Sequence, residues 1–155
     1  DPQGNVKFHM YNSDAFWLTQ WNLNILWGLA WPEVQDDFAA CLIEYAKNGG
    51  LIPRGPNAGG YSYIMTGCPA TPLITSAYQK GILTKVSAEE AYKWMYKNHH
   101  DGMLGDRNSI RFYEKHGYFA DNAGITLEAA FQDWSLGQMA LKMGKMKDAR
   151  HFDKR

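Results

Sequence analysis

Residues 32–50, PEVQDDFAACLIEYAKNGG, decide the fold class. Pro32 suits the first turn of a helix, where its missing N–H would have had no partner, and Glu33 suits the positive end of the dipole. Val34, Phe38, Cys41, Leu42 and Tyr45 then recur at helical spacing until Gly49-Gly50 supplies a left-handed stop. This is the clearest amphipathic helix in the chain. Just upstream, Ser13-Asp14 reads as the start of another helix over 15–29, which Pro32 ends. Its Phe16, Trp17, Trp21 and Trp27 do not share one stripe, so the sequence predicts burial on much of its circumference, with Asn22 and Asn24 in need of partners.

Downstream of Gly50 comes LIPRGPNAGGYSYIMTG, residues 51–67, a Gly-rich connection long for a helical domain. Within it only Tyr61–Met65 alternates like a strand, and it reads as a brief strand or an extended loop. Helices are then predicted over 69–80 with Gly81 as the stop, from the Ser87/Glu90 capping box to about His99, and over 109–116 ended by Gly117. Thr126 is read as opening a sixth, with Leu127, Ala130, Phe131, Trp134 and Leu141 on its apolar face and Gly144 at its end. A seventh begins near Lys147 and runs into Arg155. The class is all-α, with paired antiparallel helices in a layered or toroidal array. Because the last helix is cut short, the 155 residues read as a single segment of a larger domain.

Composition narrows the partners. With 16 Lys+Arg against 16 Asp+Glu there is no basic excess, so nucleic acid is not expected. No apolar run approaches the roughly 20 residues of a membrane span, and the polar opening Asp1–Asn5 is not a signal peptide. Two cysteines, Cys41 and Cys68, make neither a disulfide framework nor a zinc motif. Aromatic residues at 14% are abundant, and flat rings on loops are one way proteins hold the apolar faces of sugars.

The first candidate site is the loop with Arg54, Asn57, Gly59, Gly60, Tyr61 and Tyr63, which joins a cation, an amide and rings to backbone that a ligand can approach closely. The alternative is a packed turn whose arginine caps the preceding helix. Glu128 and Asp133 are candidate carboxylates, but five residues apart they face different sides of a helix and make a poor catalytic pair; otherwise they are surface or helix-start charges. His99-His100-Asp101 has no third ligand spaced to meet it and reads as a helix end rather than a metal site. Cys68 reads as a small buried or loop cysteine rather than a nucleophile.

Taken together, Phe16-Trp17, Trp31-Pro32-Glu33, Gly49-Gly50-Leu51-Ile52-Pro53-Arg54, Gly59–Gly67, Ala77-Tyr78, Lys80-Gly81-Ile82, Glu90-Ala91-Tyr92, Gly117-Tyr118 and Thr126–Trp134 occur in a consistent order across nearly the whole chain. In this the chain resembles the calcium-dependent exo-acting α-mannosidases of glycoside hydrolase family 92. The resemblance implies part of an (α/α)6 toroid, inverting hydrolysis of terminal α-mannosides, α-1,2-linked ones among them, and a bound calcium ion. It also implies an exported, periplasmic or extracellular, bacterial protein. The family's catalytic acid lies in a Glu-Gly-Asn motif and its base in Gly-Asn-Asp-Asp. Neither occurs here, so no catalytic residue or calcium ligand is assigned and the segment by itself is expected to be inactive.

By the same resemblance Trp17, Arg54, Asn57, Gly59, Gly60, Tyr61, Glu128 and Asp133 are the substrate-binding candidates. Three positions depart from the family pattern: Leu18 replaces the acid of a Trp-Asp pair, Cys68 the acid of a Gly-Asp, and Gln132 the first acid of Asp-Asp-Trp. A leucine accepts no hydrogen bond from a sugar hydroxyl. A non-catalytic carbohydrate-binding relative, or a helical-repeat interaction module, therefore stands as the alternative. An incomplete toroid would expose apolar helix faces, and self-association of the segment is expected on that ground.

Overall fold

The computed structural model describes residues 3–101 and 107–155. It is all-α apart from one small hairpin: α1 (Leu23–Ala30), α2 (Pro32–Gly49), β1 (Gly55–Asn57), β2 (Gly60–Ser62), α3 (Ala70–Gln79), α4 (Ala88–Asp101), α5 (Arg107–His116), α6 (Ala123–Lys142) and α7 (Met146–Asp153). α3 packs against α1, α2 and α6, and α6 turns at Gly144 to pack along α7. The main core gathers Phe38, Leu42, Ile43, Leu73, Ile74, Met95, Leu136, Met139 and Phe152 from α2, α3, α4, α6 and α7. A smaller one, Cys68, Ile110, Tyr113, Phe119 and Ala129, lies between α5, α6 and the end of the long connection.

Helices α3, α4 and α5 lie where their stop and cap residues predict, with Gly81 and Gly117 left-handed at φ 73° and 78° and the Ser87 hydroxyl accepting from the Glu90 N–H at 3.2 Å. The first two helices exchange the environments the sequence predicts for them. α2 is buried on every side from Gln35 to Ile43, polar residues included. Asp36 accepts from the Thr84 and Lys85 amides at 3.0 and 3.3 Å, Asp37 pairs with Lys85 and His9, and the Tyr11 ring lies tilted against Phe38 with centroids 4.9 Å apart. These partners come from segments distant in sequence, which the helix's own periodicity does not reveal.

The segment expected as helix 15–29 starts late. Residues 13–16 are irregular, with a bend at Asp14, Thr19–Trp21 form a 3-10 turn, and only Leu23–Ala30 is α-helical. The Ser13 N–H donates to the Pro56 carbonyl at 2.9 Å and that of Phe16 to the Arg54 carbonyl at 3.0 Å, so the backbone that would have opened a helix runs beside β1 instead. Nor is α1 buried around its circumference: Trp21, Ile25 and Leu29 are exposed and Phe16 alone among the four aromatic residues is fully covered. Asn24 is buried, and its side-chain oxygen has no partner among the described residues.

On α6 the cap is Asn122, whose side chain accepts from the Ile125 N–H at 2.9 Å, so the helix begins before Thr126. Its packed stripe is Ala129, Gln132, Asp133, Leu136, Met139 and Ala140. The stripe expected to be buried faces outward, with Leu127, Phe131, Trp134 and Leu141 exposed.

Gly55 sits where the segment 13–14 crosses β1, and a Cβ there would collide with the Ser13 and Asp14 carbonyls. Gly55→Ala is expected to destabilise the protein by about 1–3 kcal/mol, as overpacking does, whereas Gly60→Ala, with space around it, leaves the urea midpoint nearly unchanged. Equal midpoints for the two variants would refute the crossing.

Candidate active-site loop

The connection from α2 to α3 is a hairpin held from all sides. β1 and β2 pair antiparallel with Gly55 opposite Ser62, Pro56 opposite Tyr61 and Asn57 opposite Gly60, which settles Tyr61–Met65 as partly strand. Ala58 and Gly59, at φ 50° and 78°, form the two-residue turn in the left-handed region that suits strand twist. The tip Asn57–Gly60 is exposed, and the Asn57 amide donates to Asp14 at 2.8 Å.

Buried groups position that tip. Asn98 on α4 accepts from the Ile52 N–H at 2.9 Å and donates to the Ile52 carbonyl at 2.8 Å, as a neighbouring strand would. The half-buried Tyr61 phenol donates towards the Tyr45 carbonyl at 2.9 Å and the Leu51 carbonyl, and burial foremost raises its pKa. Its ring lies where a Cβ on Gly49 would be. Arg54 donates to the carbonyls of Gly67, Tyr63 and Met65 at 3.3, 3.2 and 2.6 Å. The arginine therefore closes its own loop; it does not cap the preceding helix.

Trp17, which follows the irregular 13–16 segment, is half-buried with no partner for its indole N–H among the described residues, and Leu18 beside it is exposed. The loop's far end meets α6. The Cys68 N–H donates to the Gln132 side-chain oxygen at 2.5 Å, and the Gln132 amide donates to Glu128 at 3.2 Å. Gly67 is left-handed at φ 70°, and a Cβ on it would enter the Gln132 amide. The Cys68 thiol is buried, which strongly raises its pKa, and burial pushes the Cys41 thiol up to about 11. Neither is a thiolate at neutral pH.

Glu128 and Asp133 do diverge, but Asp133 is no surface charge. It is fully buried and accepts from the Tyr113 hydroxyl at 2.9 Å and from His99 Nδ1 at 2.6 Å, with Arg155 Nε at 3.2 Å. His99 is also fully buried, and burial foremost lowers its pKa, so it is neutral. Nδ1 then carries the proton towards Asp133, and Nε2 accepts from the Thr71 hydroxyl at 2.9 Å. Hydroxyl, imidazole and carboxylate thus stand in the order of a catalytic triad. Thr71, however, is 1% exposed, and no substrate reaches its oxygen. The arrangement ties α3, α4, α5 and α6 together. Thr71, Tyr113 and Arg155 are absent from the sequence-based set, and the one available signal was Asp133 itself, in helical register with Ala129, Leu136 and Ala140.

Among the described residues no group of three or more His, Cys, Asp or Glu side chains could hold a metal ion. The side chain of Asp101 lies outside the described residues. The described residues therefore do not fit calcium.

The glycosyl hydrolase family 92 catalytic domain matches residues 2–155. The chain belongs to that family. Among solved structures, the inverting mannosidase BT2199 of Bacteroides thetaiotaomicron superposes with a TM-score of 0.81 at 27% identity, covering 95% of this chain and 21% of that one. The α-mannosidase BT3965 of the same organism gives 0.86 at 23% identity, covering 96% and 21%, and its mannoimidazole complex gives 0.84. These likenesses bear out the all-α paired-helix fold as part of an (α/α)6 toroid. The chain spans about a fifth of each relative's length. Comparison with curated proteins finds no match.

Within this family 92 chain, two of the three departures touch: Cys68 and Gln132 are joined by a hydrogen bond. A carboxylate at position 68 would sit beside Asp133, already buried, and the neutral pair avoids that repulsion. Asp133→Ala is expected to cost about 3–5 kcal/mol, because it removes the buried carboxylate on which Tyr113, His99 and Arg155 converge. A change below 1 kcal/mol in urea unfolding would show that the pair is not buried in solution.

Proposed function

We propose that these residues form part of the catalytic domain of a glycosidase that releases terminal mannose from α-mannosides, α-1,2-linked ones among them, with inversion. The family match across residues 2–155 carries the reading. Trp17 stacks on a sugar ring, and the exposed tip with Asn57, Gly59 and Gly60 offers amide and backbone groups to its hydroxyls. Arg54 and Tyr61 act behind the tip, Arg54 closing the loop and Tyr61 anchoring it to α2. Glu128 meets the sugar at the loop's far end, and Asp133 supports the site from within.

Inversion needs an acid and a base about 6.5–9.5 Å apart with water between them. Both, with the calcium ion, come from residues outside this single segment of a larger (α/α)6 domain, so the 155 residues alone are inactive. The protein works in the periplasm or outside the cell. The test is mannose release from α-1,2-mannobiose by the full-length protein, expected to proceed with calcium and to stop on chelation. Leu18 favours a second reading, a carbohydrate-binding relative without turnover. A folded protein whose melting temperature rises with mannobiose, with no mannose released, would establish that one.

The exposed apolar faces of α1 and α6 favour association of the isolated segment. Light scattering is expected to give a mass above 17.6 kDa that grows with concentration. A monomer at high concentration overturns this expectation.

A further inference from the structure

α7 meets the last turn of α4 through rings. Phe152, buried, is approached edge-on by Tyr96, His99 and His100 with centroids 5.7, 5.8 and 5.8 Å away. His100 and His151 lie stacked across the seam at 5.7 Å, interplanar angle 17°. Arg155 completes it, donating to the His99 carbonyl at 3.4 Å and pairing with Glu114 of α5 at 3.8 Å as well as with Asp133 of α6. His100 Nε2 lies 3.8 Å from the same Glu114 oxygen.

We infer that this seam is an acid-sensitive latch, shut while His99 and His151 are neutral and opened when they are protonated. The charged and titratable groups facing it among the described residues are Tyr96, His99 and His100 from α4, Tyr113 and Glu114 from α5, Asp133 from α6, and His151 and Arg155 at the α7 end; nearer the start of α7, Tyr92 donates to Asp148 at 2.9 Å and Lys145 pairs with Glu89 at 2.9 Å. With neutral imidazoles one guanidinium stands between two carboxylates. Protonating His99 and His151 reverses the sign of this group and places two further cations beside Arg155. Inside, a protonated His99 loses the lone pair at Nε2 that accepts the Thr71 hydroxyl.

The pH direction follows from linkage. Burial lowers the His99 pKa, and burial with Arg155 and His100 lowers that of the more exposed His151. For such groups the unfolded or opened state binds more protons, so stability is complete above the ordinary histidine value of about 6.5 and declines as pH falls below it. Phe152 also packs against Gly137, where a Cβ would stand 3.4 Å from it. α7 therefore stays on α6 and parts only from α4. This inference does not rest on the glycosidase reading, since its test reads backbone protection and not activity.

The test is amide hydrogen exchange on the full-length protein at pH 7.5 and 5.0, expressed as protection factors. Protection over 95–100 and 146–153 is expected to fall by about tenfold or more, the factor that one pKa unit of coupling gives, while α2 keeps its protection. His151→Gln, a surface change, is expected to reduce the loss, and His99→Gln to remove most of it. A parallel fall in α2, or an unchanged loss in both variants, would overturn the latch. A destabilised His99→Gln leaves the His151→Gln comparison decisive.

Discussion

Every buried N–H and C=O of the α2–α3 connection needs a partner, because a segment crossing a helical core cannot turn all its backbone to water. Much of the structure follows from how that need is met. Asn98 takes both backbone groups of Ile52, Tyr61 covers the Tyr45 and Leu51 carbonyls about the end of α2, Arg54 collects three carbonyls of the segment that follows β2, and Gln132 takes the Cys68 amide. These side chains come from α4, from the loop itself and from α6, so the helices are placed by what the loop requires as well as by apolar packing. The exposed tip is then a rigid projection, suited to meeting a ligand without a large ordering entropy.

The buried charge on Asp133 works in the same way deeper inside. A carboxylate without water persists where donors surround it, and here a phenol, an imidazole and a guanidinium arrive from three other elements. Loss of any one donor leaves the others with an unmet charge. The network therefore specifies how α3, α4, α5 and α6 meet more sharply than the apolar residues around it do.

Helices bounded by glycine stops were legible from sequence: α3 and α5 end at left-handed Gly81 and Gly117. The faces of the helices were less so. α2 looks amphipathic because Asp36 and Asp37 look solvated, yet Thr84 and Lys85 reach them from across the fold. In α6 the exposed aromatic residues outweigh in bulk the small Ala129, Gly137 and Ala140 that pack, so a size-weighted reading chooses the wrong stripe. For the candidate site, the loop was legible from its composition. The inward duties of Arg54 and Tyr61 were not, because nothing local separates a guanidinium aimed at a sugar from one aimed at carbonyls.

Residues 13–16 lie against β1 and so join chain ends that bracket α1 and α2. In kinetic terms this is a non-local closure, whose entropy cost is met only when the intervening chain is already compact. The α1–α2 pair therefore condenses before the ribbon closes over it. The hairpin tip, although among the more local structures in the chain, acquires its final support late, after the core.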